Sequence, residues 1–138
     1  MTPQHGYRRR TRVLILDDDE DLALCLHDTL ELRHHEVRVA TNLDTARSEL
    51  AAEAPDVFVV DLFIGTRRSD ELLAMVRATL PWVRCVLISG SESSTWNHLV
   101  EQGVVETALK KPFDTAELIA LVEENGQDDA NRNAGGER

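Results

Sequence analysis

The chain has 138 residues, of which 42% are hydrophobic and 4% aromatic, and its formal net charge at pH 7 is −10. This length is sufficient for one domain with a proper core. The acidic excess argues against nucleic acid as a partner, because such binding depends on neutralising phosphates. No apolar stretch reaches the eighteen residues of a membrane span and no signal peptide is recognisable, so we expect a cytoplasmic protein without a membrane partner.

Strand and helix signals alternate five times between Arg12 and residue 124. The predicted strands are 12–16, 36–40, 56–60, 83–88 and 104–109, and the predicted helices are 20–34, 43–53, 69–79, 92–102 and 114–124. This alternation favours an α/β fold with a parallel sheet, right-handed crossovers and helices on both faces. The predicted domain is 12–124. Residues 1–11 are expected to be a flexible lead and residues 125–138 a disordered tail with almost nothing to bury.

Polar side chains follow the apolar strands where the strands end. In chain order they are Asp17, Asp18 and Asp19, then Asp61, then Ser89, and finally Lys111, which precedes Pro112. The carboxyl ends of parallel strands lie along one edge of a sheet, where ligands bind, so these groups should converge. The pattern predicts a site for a divalent cation and a phosphoryl group.

The chemistry of these side chains supports that prediction. Clustered carboxylates repel one another, and a hard cation such as Mg²⁺ removes the repulsion because it prefers oxygen ligands. An aspartate that accepts a phosphoryl group becomes an acyl phosphate, whose charge must be spread over a metal, a lysine and hydrogen-bond donors. Lys111 would supply the ammonium group and Ser89 a hydroxyl. The backbone N–H groups of Leu62 and Gly90 would supply two further donors.

The remaining local signals are structural. Asp19 is expected only to cap the first helix, and Asp114 to Glu117 form a capping box for the last one. Cys25 and Cys85 lie in apolar segments without CxxC spacing, so both are expected to be buried, reduced thiols.

Taken together, the strand-end residues resemble those of the receiver domains of bacterial two-component response regulators. The resemblance covers about residues 12–124 and rests on four motifs in order, namely Asp17-Asp18, Asp61, Ser89 and Lys111-Pro112-Phe113. It implies a flavodoxin-like (βα)5 three-layer sandwich with a parallel sheet in the order 2-1-3-4-5.

The resemblance also implies roles for individual residues. Asp61 would accept a phosphoryl group from a histidine kinase or a phosphotransfer protein. Asp18 would bind Mg²⁺ directly and Asp17 mostly through water, with Asp61 and the carbonyl of Phe63 completing the metal shell. Ser89 and Lys111 would hold the phosphoryl oxygens. The chain would catalyse only its own phosphorylation and dephosphorylation, and it would signal through altered contacts with a protein that the sequence does not name.

Three positions depart from the family pattern. Gly65 stands where family members usually have proline, and Ser69 stands where they usually have glycine. Ala108 replaces the aromatic residue that usually swings inward on activation, so only the Ser89 half of the switch is present. The ligand set is intact, whereas the means by which phosphorylation is read out is open.

Two alternatives are compatible with parts of this pattern. The loop after Asp61 and the alanine at 108 would suit a receiver-like interaction module that is never phosphorylated. Asp17 and Asp19 would suit the nucleophile and acid of a haloacid-dehalogenase-type phosphatase. That class needs a further acidic pair after the lysine, whereas Lys111 is followed only by a helix cap.

Overall fold

The computed structural model describes residues 10–124 of the chain. Its strands are β1 (Arg12–Leu16), β2 (Glu36–Ala40), β3 (Val57–Asp61), β4 (Phe63–Ile64), β5 (Arg67–Arg68), β6 (Arg84–Ser89) and β7 (Thr107–Lys110). Five parallel strands form one sheet in the order β2-β1-β3-β6-β7, and β4 and β5 form a separate antiparallel hairpin. Counted within the main sheet, the order is 2-1-3-4-5, which confirms the predicted flavodoxin-like fold. Residues 1–9 of the predicted lead and the whole predicted tail, 125–138, lie outside the described residues.

The helices lie between the strands of the main sheet and after the last one. They are α1 (Glu20–Glu31), α2 (Leu43–Ala52), α3 (Asp70–Thr79), α4 (Asn97–Glu101) and α5, which covers 115–124 of the described residues. Within residues 10–124, none of the helices combines the length and the apolar character that crossing a membrane requires.

Three predicted elements differ from the structure by more than one residue at an end. The first helix ends at Glu31 because the chain reverses through His34, which has a φ of +71°. The predicted helix 92–102 is instead a 3₁₀ turn, Ser93–Thr95, followed by the short α4. Serine and threonine side chains compete for backbone hydrogen bonds, so this stretch is a weak helix former. The last strand begins at Thr107 instead of residue 104.

Alternate residues of the central strands build two cores, one on each side of the sheet. One core contains Leu14, Leu16, Phe58, Val60, Cys85 and Leu87 with apolar residues of α2, α3 and α4. The other contains Val13, Ile15, Val57, Val59, Val86 and Ile88 with apolar residues of α1 and α5. A sheet covered on both faces explains why its strands are apolar without alternation.

Two helix starts agree with the capping predictions, and one burial prediction fails. The carboxylate of Asp19 accepts the N–H of Leu22 at the start of α1. The N–H of Asp114 donates to Oε1 of Glu117 at 3.3 Å, as a capping box requires. Cys85 is buried as expected, whereas Cys25 is exposed. The buried face of α1 instead consists of Ala23, Leu26 and Leu30.

Candidate functional site

The register of the main sheet brings the polar strand ends to one edge. Leu16 pairs with Val60 across β1 and β3, so Asp17 and Asp61 emerge side by side. Asp61 pairs with Ile88 of β6, and Ser89 pairs with Lys110 of β7. The Lys111–Pro112 peptide bond that follows β7 is cis. Residues separated by almost a hundred positions in the chain therefore meet at one place.

The centre of the site is a lysine between two carboxylates. Nζ of Lys111 lies 2.9 Å from Oδ2 of Asp17 and 2.8 Å from Oδ2 of Asp61. The Asp17 residue is 0% exposed and Asp61 is 8% exposed, whereas Asp18 is exposed. One carboxylate oxygen from each of these three aspartates lies within 4.8 Å of the others. Such a group of hard oxygen donors fits the coordination chemistry of Mg²⁺.

Burial and charge act in opposite directions on the two central groups. Burial raises the pKa of the Asp61 carboxyl, and although Lys111 opposes the effect, the pKa stays above its ordinary value. Burial would lower the pKa of Lys111, but the hydrogen bonds that its ammonium group donates to Asp61 and Asp17 outweigh the effect of burial, so that pKa is also raised. Lys111 therefore remains charged at neutral pH. The raised pKa of Asp61 makes folding less favourable as the pH rises through the interval between its ordinary and raised values.

One predicted backbone donor is engaged elsewhere. The N–H of Leu62 donates to the carbonyl of Ile88 at 3.1 Å, which extends the pairing of β3 with β6. This bond contradicts the prediction that Leu62 presents its N–H to a phosphoryl group. The next N–H, of Phe63, donates instead to Oδ1 of Asp61 at 3.2 Å. Gly90 has open space where a Cβ would project, so its backbone is approachable.

The hairpin of β4 and β5 contacts the site from the loop that departs from the family pattern. Its tip donates a hydrogen bond from the N–H of Gly65 to Oδ2 of Asp18 at 2.8 Å. At its base, the buried hydroxyl of Ser69 donates to the carbonyl of Asp61 at 2.8 Å. Neither contact was predicted. A glycine opening the two-residue turn between Ile64 and Arg67 is the sequence signal that indicates such a hairpin.

The two residues assigned to the switch differ in their surroundings. Ser89 is buried, and its hydroxyl oxygen accepts the N–H of Ser91 at 3.0 Å. Ala108 lies opposite Leu87 on the edge strand β7 and packs against the core that contains α3. Trp96 packs against the same core from the start of α4.

Comparison with known proteins agrees with this geometry. The family model described as the response regulator receiver domain matches residues 13–123. The chain belongs to the response regulator receiver domain family. NtrX, a nitrogen assimilation regulatory protein of Azorhizobium caulinodans, is 30% identical to this receiver domain over 114 residues, which are 80% of the chain and 25% of that protein. NtrC of Azospirillum brasilense is 29% identical over 112 residues, which are 80% of the chain and 23% of that protein. The chain thus spans about a quarter of the length of these relatives.

Solved structures resemble the receiver domain closely. A Burkholderia pseudomallei response regulator with a phosphorylated aspartic acid, a calcium ion and citrate is 28% identical, with a TM-score of 0.75 over 93% of this chain and 75% of that one. A CheY-like receiver domain from Methanospirillum hungatei superposes with a TM-score of 0.83 over 90% of this chain and 99% of that one, and its 18% identity supports the fold alone. The family match defines the function of the chain as phosphoryl acceptance in a two-component phosphorelay. It favours neither the phosphatase nor the module that is never phosphorylated.

Proposed function

We propose that Asp61 is the phosphoacceptor of this receiver domain. The observation that carries the proposal is the bridge of Lys111 between Asp17 and Asp61, with Asp18 close enough for all three carboxylates to share one cation. A carboxylate oxygen of Asp61 attacks the phosphorus of a phosphohistidine, the P–N bond breaks, and the imidazole leaves with the electron pair. The donor is a histidine kinase or a phosphotransfer protein.

The remaining residues of the site stabilise the negative charge of the phosphoryl group. Asp17, Asp18, Asp61 and the carbonyl of Phe63 would hold Mg²⁺, which supplies positive charge for the phosphoryl oxygens. Lys111 already contacts the carboxylate of Asp61, and after phosphorylation its ammonium group would bind a phosphoryl oxygen instead. The hydroxyl of Ser89 and the N–H groups of Phe63 and Gly90 would donate to the phosphoryl oxygens, with Phe63 in the place first predicted for Leu62. Fixed donors of this kind stabilise charge without reorganising when the reaction occurs.

The output is a change in protein contacts. Ser89 joins the site to the segment that leads to α4, because its hydroxyl accepts the N–H of Ser91. A phosphoryl group that recruits this hydroxyl would pull on the same segment. The alanine at 108 means that no aromatic side chain responds at that position. The chain catalyses only its own phosphorylation and dephosphorylation, and its target is a protein.

Intact-mass spectrometry with a small phosphodonor tests the proposal. We expect phosphoramidate and Mg²⁺ to add one phosphoryl group to the full chain, and we expect Asp61→Asn to abolish the adduct. Removing Mg²⁺ with EDTA should prevent it as well. Asp19→Asn is the matched control, because it makes the same chemical change next to the site and asparagine caps a helix as well as aspartate does.

Other results would support the alternatives. An adduct that survives Asp61→Asn would place the acceptor elsewhere. The absence of any adduct, with no response to Mg²⁺ and beryllofluoride, would indicate an interaction module. Rapid multiple turnover of phosphomonoesters that is lost in Asp17→Asn would indicate a phosphatase.

A further inference from the structure

The tip of the hairpin carries a backbone hydrogen-bond donor, the N–H of Gly65, at a position where most receiver domains have none. The N–H of Gly65 donates to Oδ2 of Asp18, and the two residues are 47 positions apart in the chain. Family members usually have proline at this place, and proline has no N–H to donate. The departure from the family pattern therefore adds a hydrogen bond to one of the three clustered carboxylates.

The conformation of the hairpin aims this donor. Gly65 has a φ of +65°, a region that glycine enters without steric cost. The base of the hairpin is attached to the strand of the phosphoacceptor, because the N–H of Ser69 donates to the carbonyl of Leu62 at 2.8 Å and its hydroxyl bonds the carbonyl of Asp61. The tip is thus held over the site at a defined position.

Asp18 differs from the other two carboxylates of the cluster. Lys111 bonds both Asp17 and Asp61, whereas Asp18 is exposed and its hydrogen bond comes from the hairpin. An exposed carboxylate with a free choice of rotamer must be ordered before it can bind a cation. A hydrogen bond to one carboxylate oxygen leaves the other oxygen available to a metal, and such bonds orient metal ligands and raise their affinity.

We propose that Gly65 is a positioning residue for the cation site: its N–H holds Asp18 in the orientation that binds Mg²⁺. The inference rests on the proposed role of Asp18 as a metal ligand. The hairpin does not close over the site in response to the metal. The N–H of Gly65 keeps the same bond to Asp18 with and without the cation. The conformational entropy of the Asp18 side chain is therefore lost when the chain folds, and Mg²⁺ binding does not have to order it.

Spectroscopy of [¹⁵N]glycine-labelled protein tests the bond directly. The chain has seven glycines, so its spectrum is simple, and the Gly65 resonance is the one that disappears in Gly65→Ala. We expect the Gly65 amide to exchange with solvent about tenfold faster in Asp18→Ala, as loss of a hydrogen bond to a charged group implies. In the wild-type chain, saturating Mg²⁺ should leave this amide protected.

Calorimetric titration with Mg²⁺ tests the consequence. Gly65→Pro removes the donor, and because proline cannot adopt the φ of +65° it also displaces the hairpin tip that aims it. Mg²⁺ binding should therefore weaken at least tenfold, which is the usual effect of losing a group that orients a metal ligand. Gly65→Asn is the matched control. It keeps the N–H, asparagine tolerates a positive φ, and a side chain there meets no atom within 4 Å of its Cβ. Its affinity should stay within about threefold of wild type.

The outcomes separate this inference from the proposed function. If the wild-type chain binds no Mg²⁺, the proposed metal site itself fails. If it binds Mg²⁺ but Gly65→Pro binds equally well, only the positioning role is wrong. A Gly65 amide that is indifferent to Asp18→Ala, or that loses its protection when Mg²⁺ binds, would also overturn it. Both of these exchange measurements, on Asp18→Ala and on the wild-type chain with Mg²⁺, can be made even if Gly65→Pro does not fold.

Discussion

The hydroxyl of Ser69 ties the loop after Asp61 back to the strand from which Asp61 projects. It is fully buried and donates to the carbonyl of Asp61 at 2.8 Å, with the carbonyl of Leu62 at 3.2 Å. The family usually has glycine at this position, which could make neither contact. The backbone at Asp61 and Leu62 is therefore held by a hydroxyl that the usual sequence lacks.

We expect Ser69→Ala to lower the free energy of unfolding by about 1–2 kcal/mol, because the Asp61 carbonyl then loses a buried partner. The midpoint and slope of urea denaturation would measure this change. Ser48→Ala, on an exposed turn of α2, removes a hydroxyl without a buried bond and should stay within about 0.5 kcal/mol of wild type. Equal stability of the two variants would show that the Ser69 hydroxyl contributes nothing.

Residue-level prediction succeeded where strand topology decides the outcome. Asp17, Asp61 and Lys111 each follow a parallel strand, and the edge rule for such sheets was enough to bring them together. It failed for Leu62, because which N–H faces the site depends on how far the pairing of β3 with β6 continues. Because the pairing continues for one residue beyond Asp61, the first N–H that can face the site is that of Phe63 and not that of Leu62. The apolar composition of a strand does not indicate where its pairing ends.

One arginine of the β4–β5 hairpin connects the start of α3 to the 3₁₀ turn that precedes α4. The guanidinium of Arg68 donates to both carboxylate oxygens of Asp70, at 2.7 and 3.1 Å, and to the carbonyl of Thr95 at 3.2 Å. It also lies over the ring of Phe63, 5.3 Å from the centroid. The hydrogen bond from Arg68 lowers the pKa of Asp70, so this pair stabilises the fold at neutral pH and the contribution is lost as the pH falls through that lowered pKa.

We expect Arg68→Ala to loosen the 3₁₀ turn that Thr95 ends. The amides of Thr95 and Trp96, whose bonds close this turn, should exchange about threefold faster, matching the modest value of a partly exposed ion pair. Hydrogen exchange followed by NMR would measure both rates. Arg67→Ala removes the same charge from the exposed neighbouring position and should leave them unchanged. If the two variants behave alike, the effect is one of net charge and the bridge to Thr95 is unimportant.

At the scale of elements, the sequence predicted the main sheet better than the connections. Apolar runs such as Val57–Val60 are long enough to identify buried strands, and the alternation with helices determines their order. The hairpin was missed because each of its strands has two residues, too few for any periodicity. The fourth helix was overestimated because its serine-rich start favours a turn.

Charge is the property of the whole molecule that bears most on its function. A net charge of −10 works against compaction, and the three carboxylates of the site concentrate part of that charge at one edge of the sheet. Lys111 lies between two of them but supplies only one positive charge, and the third, Asp18, is held by a neutral N–H. A cation at this site would therefore relieve repulsion within the folded chain while having no comparable site in the unfolded one.

We expect Mg²⁺ at a hundredfold excess over its Kd to stabilise the folded chain by about 2.7 kcal/mol, since it binds the native state alone. For a domain of this size that corresponds to a rise in Tm of roughly 10 °C. Differential scanning fluorimetry would measure it against NaCl of equal ionic strength, which screens the net charge without occupying the site. Asp18→Asn and Asp61→Asn should lose most of the rise, whereas Asp19→Asn should retain it because Asp19 caps α1. An equal rise in all four proteins would mean that Mg²⁺ acts by screening, and the metal site would have to be abandoned.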